Sequence, residues 1–449
     1  MDRSEFINRL FELSAARGGS AEICAETSQS FEAQVRDGEI VQYNVSDSSG
    51  LGFRALKDGH TGTASTQILD EEALTQLVDG AYTNAALVES KDQQFMYPGD
   101  AQYPELDLYN PAVAALSASE KIEMARELER LTLSQDPRVT KVEDCAVFSA
   151  ADERLLANTL GLNVSTKSAV LGGYVVAVAR DGEKVNTGMK LFVTMDPSDV
   201  DLEAVAKAAV KEAVDGLDGA PVPSGKYRVL FRNRVAALLL STFSGIFSAD
   251  NAQKGLSHLK GREGEAVAAP CVTLIDDPHR PGSAASTPFD GEGVATQKKA
   301  VIENGALNTL LHNLKTAHKQ GVKTTANAAR ASYASGVGIA PTNFHFAPSQ
   351  ASFDEMVART GDGLLITDLQ GLHAGANAIT GDFSLAAKGF VIRGGAVAGP
   401  VSRITVAGNF YQLLKDIEAV GGDLEFRAPG VSCYGSPCVL VSELSVAGA

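Results

Sequence analysis

At 449 residues the chain exceeds what one hydrophobic core ordinarily serves, so two or three domains are expected. An apolar share of 44% beside 21% charged residues argues against wholesale disorder, and a formal net charge of −16 disfavours direct attraction to nucleic acid or an anionic membrane. The N-terminus mixes Asp2, Arg3, Glu5, Arg9 and Glu12 into its apolar residues, and no apolar run approaches the roughly 18 residues of a membrane span, so a cytoplasmic protein is expected. Five cysteines, an odd number without CxxC spacing, fit reduced thiols better than a disulfide frame.

From Asp2 to Arg17 the apolar residues Phe6, Ile7, Leu10, Phe11 and Leu13 mark a helix, stopped by Gly18-Gly19. A strand is expected near Ala21–Glu26, then a hairpin turning at Asp37-Gly38 and a second at Asp58-Gly59. Asp70–Leu87 reads as a helix. Lys91–Pro111, with Pro98, Pro104 and Pro111, reads as an extended surface connection. A second block opens on the capping-box pair Ser117 and Glu120 and continues as a helix through Leu131. Five short strands follow, at Val139–Phe148, Glu153–Asn158, Leu162–Ser168, Val170–Arg180 and Lys184–Val193, and a helix at Ser198–Leu217 closes the block.

Gly and Pro concentrate in Asp218–Gly225, the expected domain boundary. Beyond it a strand at Tyr227–Phe231 leads to a helix, Val235–Asn251, with Ser241, Thr242, Ser244 and Ser248 facing outward and apolar residues elsewhere. A polar loop, Gln253–Gly264, follows. The remainder is Gly-rich and β-like, with one further helix at Asn409–Val420. The expected architecture is α+β, with helix-flanked antiparallel sheet blocks at residues 1–110 and 111–222 and a β-rich domain with few helices at 223–449, carrying its helix at 233–250.

Familiar catalytic spacings are missing. A zinc hydrolase helix needs two imidazoles on one face with a carboxylate beside them, and no HExxH or HxxxH occurs; His312 and His318, six apart, fall on different faces and read as surface residues. There is no GxSxG elbow for a serine nucleophile, and Cys433 has no identifiable histidine partner. Asp276, Asp277, Asp290 and Glu292 cluster at turns and read first as solvated loop residues, with a peptide cleft as the alternative. The glycines of Gln370–Ser384 fit close backbone approach, to a strand or to an extended ligand.

Three groups of segments carry a resemblance: SFEAQVRDGEIVQYNVSDSSGLGFRALKDGHTGTAST, FDGEGVATQKKAVIENGALNTLLHNLKTAHKQG, and the late GLLITDLQG, TGDFSLAAKGFVIRGG and ITVAGNFYQLLKDIEAVGGDLEF. Together they resemble the TldD/PmbA family, peptidase-related proteins also described as modulators of DNA gyrase. In the TldD branch an HExxxH helix and a later cysteine bind zinc; here Ser241, Thr242 and Ile246 stand at the three motif positions, in Ser241-Thr242-Phe243-Ser244-Gly245-Ile246. The chain therefore resembles the PmbA/TldE branch, with Cys433 as a possible relic of the cysteine ligand. The resemblance implies no catalytic residue and no cofactor in this chain, and zinc in a TldD-like partner. It further implies a heterodimer with that partner, or a homodimer, acting on unfolded or modified peptides. Ser244, Gly371, His373, Gly375 and Gly381 are the expected cleft contacts, and neither nucleic acid nor membrane is an expected partner. The alternatives are a stand-alone metallopeptidase drawing ligands from His373, Cys433 or the acidic loops, and a nonenzymatic regulatory protein.

Overall fold

The computed structural model describes residues 1–89, 92–427 and 430–448. Lys91, where the expected surface connection begins, lies outside them, as do Ala428 and Pro429 ahead of Cys433 and the terminal Ala449. The fold is α+β with antiparallel sheets dominant.

The two N-terminal blocks, expected as separate units, share one sheet. Helix α1 (Arg3–Ala16) is followed by β1 (Ser20–Arg36), β2 (Glu39–Lys57), β3 (His60–Thr66) and α2 (Glu71–Ala86). After the short helix α3 (Pro111–Ala115), α4 (Ala118–Ser134) leads to β4 (Val139–Asn158), β5 (Asn163–Asp181), β6 (Lys184–Thr194) and α5 (Leu202–Asp215). The strand order is β3-β2-β1-β4-β5-β6, joined where β1 pairs with β4. Both early hairpins turn where expected, with positive φ at Asp37, Gly38, Asp58 and Gly59.

The five short strands expected in the second block are three long ones, because the chain runs uninterrupted through the polar stretches at Ala150–Glu153 and Ser165–Ser168. Helices α1 and α2 cover one half of the sheet through Phe6, Leu10, Ile23, Phe53 and Leu74, while α4 and α5 cover the other through Leu128, Val147, Val175 and Ala209. The capping box at Ser117 forms, its backbone N–H and hydroxyl both donating to Glu120. The 92–110 connection is irregular as expected, but it buries Met96 and Leu108 rather than lying wholly on the surface.

The C-terminal half holds two further six-stranded sheets. One is centred on β7 (Gly225–Phe231), which runs parallel to Gly363–Gln370 and antiparallel to Val439–Ala447. In the other, Cys433–Ser436 runs parallel to Asn343–Phe346. Helix α6 (Asn233–Phe243) lies in the core between these sheets. The expected helix Asn409–Val420 is a helix only over Phe410–Asp416; Ile417–Val420 turns into a strand that pairs with Val439–Val441.

The two halves touch at Gly50 and Gly52. A Cβ at Gly52 would sit 1.8 Å from the Tyr333 carbonyl oxygen, so glycine lets the 333 segment lie directly on β2.

Candidate functional site

Strand β7 delivers the chain to α6 through Arg232, whose N–H donates to the Ile366 carbonyl and whose guanidinium stacks 3.9 Å from the centre of the Phe353 ring. The apolar spacing seats Val235, Ala236, Leu239, Leu240 and Phe243 in the core, with the Phe243 ring stacked on Phe410 at 4.7 Å.

Unlike the expected continuous helix, α6 stops at Phe243. A 3₁₀ turn, Ser244–Phe247, and a separate short helix, Ala249–Gln253, follow. Local hydroxyls account for the break: Thr242 Oγ1 donates to the Leu238 carbonyl and Ser244 Oγ to the Ser241 carbonyl, both at 2.9 Å. Ser248, expected to face outward, is buried because it caps that short helix, its Oγ accepting from the Asn251 N–H.

Zinc is the cofactor the resemblance attaches to this helix, and the donors present do not fit it. Thr242 commits its hydroxyl to the backbone, Ile246 is a buried hydrocarbon, and Ser241 offers only a neutral hydroxyl. Among the described residues no group of three or more His, Cys, Asp or Glu side chains is placed to hold a metal ion.

Cys433 does come to the helix. Its strand packs against α6, and Tyr434 brings its hydroxyl within 2.9 Å of Ser244 Oγ. The thiol is buried, lies 3.2 Å from the Arg427 carbonyl, and is pushed above its ordinary pKa by that burial, with Arg280 and Arg427 pulling the other way. This is a poor setting for a nucleophilic thiolate at neutral pH. Ser244→Ala should cost about 1 kcal/mol by removing the bridge to Tyr434. In denaturant titrations Tyr434→Phe should cost a similar amount, with the double variant costing less than the sum of the two.

His373 stands exposed on the four-residue helix Leu372–Gly375 and makes no hydrogen bond to Cys433 or α6. The glycines around it have packing reasons for being glycine. Gly371 and Gly381 have φ of 81° and 84°, and a Cβ at Gly375 would lie 2.4 Å from the Ser384 carbonyl oxygen. The Gly381 carbonyl accepts from the Phe410 N–H, so this loop is tied to the ring that stacks on Phe243.

Open space meets α6 earlier along its length than Ser241. A groove of about 310 Å³ is lined by Arg234, Val235 and Leu238, facing Met189 and Lys190 of β6, with Asp368 and Arg427. Ser241, Thr242 and Ser244 are not part of its lining. Its charges are mostly paired, Arg234 with Glu212 at 2.9 Å and Lys190 with Glu425 at 2.6 Å. Sequence reasoning missed these residues, because only the fold brings β6 against α6.

The acidic turns, expected to be solvated, are mostly buried. Asp276, Asp290 and Glu292 are buried, each satisfied by specific donors. Asp276 accepts from Lys299, Asn327 and Thr342, and Glu292 from the Leu314 N–H. Asp290 accepts the N–H groups of Glu292, Val294 and Ala328 and borders a cavity of about 550 Å³ between the two halves of the molecule. His312, read as a surface residue, is buried as well, because the Thr325 hydroxyl takes up its backbone N–H and holds the segment inside; that burial lowers its pKa.

Burial, and then the neighbouring Glu292 charge, push the Asp290 carboxyl up to about 7. Its folded pKa thus exceeds its unfolded value near 4, so its contribution to stability is complete below pH about 4 and is lost as pH rises through about 7. Asp290→Asn should therefore remove a fall in unfolding midpoint between about pH 4 and 7, read as the difference between wild-type and variant profiles.

With this geometry in place, comparison with known proteins identifies the class. Residues 21–85, 111–217 and 224–448 match the PmbA/TldA metallopeptidase domain 1, central domain and C-terminal domain. The chain belongs to the PmbA/TldD family. It is 28% identical over 450 residues to "Metalloprotease PmbA" of Escherichia coli O157:H7, spanning 99% of this chain and 96% of the relative. A Thermotoga maritima structure described as a candidate modulator of a DNA gyrase superposes with a TM-score of 0.91 at 36% identity, covering 99% of this chain and all of the other. TldE from Thermococcus kodakarensis superposes with a TM-score of 0.90 at 25% identity, with the same coverage. Among the described residues no helix is long and apolar enough to cross a membrane.

Proposed function

We propose that this chain is the noncatalytic, PmbA/TldE-type subunit of a two-subunit metallopeptidase. A TldD-like partner supplies zinc and the chemistry, and this chain completes the cleft that holds unfolded or modified peptides. The observation that carries the reading is the state of α6 and its following turn, which keep their packed position while a hydroxyl, a backbone-bonded hydroxyl and a buried isoleucine occupy the three motif positions.

In the complex this chain's task is to bind and orient. The Arg234–Leu238 groove, with Ser244 six residues beyond it, and the Gly371–Gly381 loop, which carries His373, are the surfaces we assign to the peptide. An extended peptide held through its backbone would be gripped with little side-chain selectivity. A cytoplasmic location is supported by five cysteines that are all free. The net charge of −16 weighs against direct DNA contact, so the gyrase description of the Thermotoga relative does not lead the reading.

The test is co-expression with a TldD-like chain carrying HExxxH, followed by zinc analysis and peptide cleavage on each subunit and on the complex. Zinc should follow the partner, and cleavage should require both chains. Stoichiometric zinc with hydrolysis by this chain alone, or a partner equally active without it, would overturn the proposal. Leu238→Trp should lower kcat/KM of the complex without changing its zinc content.

A further inference from the structure

A cavity of about 530 Å³ lies where the first sheet meets the C-terminal half. Met189 and Ala208, on β6 and α5, form one wall; Leu365, Phe390 and Val401 of the C-terminal sheet form the other. The apolar lining reaches solvent, with Met189 and Val397 38 and 45% exposed. Cavities of this size, apolar with a few fixed polar groups, are the usual form of a small-molecule site.

Lys388 is held in this cavity by the opposite half. Buried Asn186 donates from its amide nitrogen to the Glu212 and Ala213 carbonyls at the end of α5, at 3.2 and 2.9 Å. A Cβ at Gly216 would lie 2.3 Å from that nitrogen, so glycine makes room for it. Asn186 Oδ1 is thereby fixed and accepts from Lys388 Nζ at 3.1 Å. An ammonium has three donors, so two remain, and Lys388 forms no ion pair among the described residues. The other lining charges are largely matched: Lys190 with Glu425, Lys211 with Asp215 and Arg234 with Glu212. Asp368 lies across the strand pair from Lys388 and accepts from Gln370 at 2.8 Å. Arg232 is 3.9 Å from Asp423, behind the wall, and its buried Nη1 has no hydrogen-bond partner among the described residues. The lining therefore presents five cations against four carboxylates, an excess of one positive charge in a chain of net charge −16.

We propose that this cavity binds a monocarboxylate with an apolar body, the carboxylate taken by Lys388 and the body by Met189, Phe390 and Val397. The spare donors of Lys388 select an acceptor, and a charge-assisted bond there is stronger than a neutral one. An amine would face like charges, and a phosphate dianion would bring more charge than the lining offsets. The apolar walls favour an acid with a hydrocarbon portion over acetate. The cavity adjoins the Arg234–Leu238 groove, sharing Met189 and Arg234 with it. Two sources carry the same chemistry: a free medium-chain acid, and the apolar C-terminal residue of a peptide lying in that groove. Only the second rests on the peptidase reading; the site itself does not.

Octanoate and N-acetyl-leucine are the probes, titrated calorimetrically into the full chain. Each acid should bind at a single site, about tenfold or more tighter than octylamine or N-acetyl-leucinamide, which match them in size without the negative charge. Lys388→Gln should weaken both acids about tenfold, the usual loss for one charge-assisted bond, with circular dichroism unchanged. Ala208→Phe fills the cavity from the half-buried face of α5 and should abolish binding while leaving Lys388 in place. Tighter octanoate supports a free acid as the occupant, and tighter N-acetyl-leucine a peptide end. No saturable binding, an amine or amide that binds as tightly as its acid, or acids that bind either variant unchanged would each overturn the inference. None of these results bears on zinc or cleavage by the mixed complex.

Discussion

Glu22→Ala is expected to lower the unfolding free energy by about 3–5 kcal/mol, the range for breaking a buried ion pair from one side. Glu22 is buried on β1 and accepts from Arg54 Nε at 3.1 Å and Nη2 at 3.0 Å, and also from Arg330, which reaches it from the C-terminal half. Without it two buried guanidinium groups remain, with Glu292, 4.0 Å from Arg54, as the nearest counter-charge. Arg330 also donates to the Gly291 carbonyl at 2.7 Å, so the cluster ties the first sheet to the Asp290 turn. The loss should therefore appear both in the denaturant midpoint and as faster hydrogen exchange around Ala328–Tyr333. A change under about 1 kcal/mol would mean that water reaches the cluster and screens it as it screens surface pairs.

This cluster marks the limit of what the sequence could say. Local signals worked: Asp-Gly turns, the Ser117 capping box and the ends of α1 and α2 are written in a few adjacent residues. The long strands were not legible because β4 crosses from one helix-covered half of the sheet to the other, while β5 runs on beyond the core under α4 and α5. Their polar stretches, Ala150–Glu153 and Ser165–Ser168, lie outside the helix-covered cores and partly line the inter-half cavity, so an unbroken strand reads as two. The break after α6 comes from hydroxyls bonding back to carbonyls, chemistry that helical periodicity does not register. Long-range contacts were out of reach for another reason. Ser244 meets Tyr434 across 190 residues and Glu22 meets Arg330 across 308, and no spacing rule connects them.

Phe243→Ala is expected to cost about 3–5 kcal/mol, the range for emptying a buried aromatic site. The ring is fully buried, stacked on Phe410 at 14° and tilted against Phe383 at 6.1 Å, so few neighbours can collapse into the space. Phe243→Leu keeps most of the volume and should lose less. The pair of variants also separates two roles of this ring. Phe410, on which it stacks, bonds to the Gly381 carbonyl, so the packing behind α6 fixes the base of the Gly371–Gly381 loop. If that loop meets the peptide, the complex carrying Phe243→Leu should lose kcat/KM at temperatures where it is still fully folded, mainly through KM. If the ring only supports the fold, activity will track the folded fraction at every temperature, and the loop's assignment to the peptide falls with it.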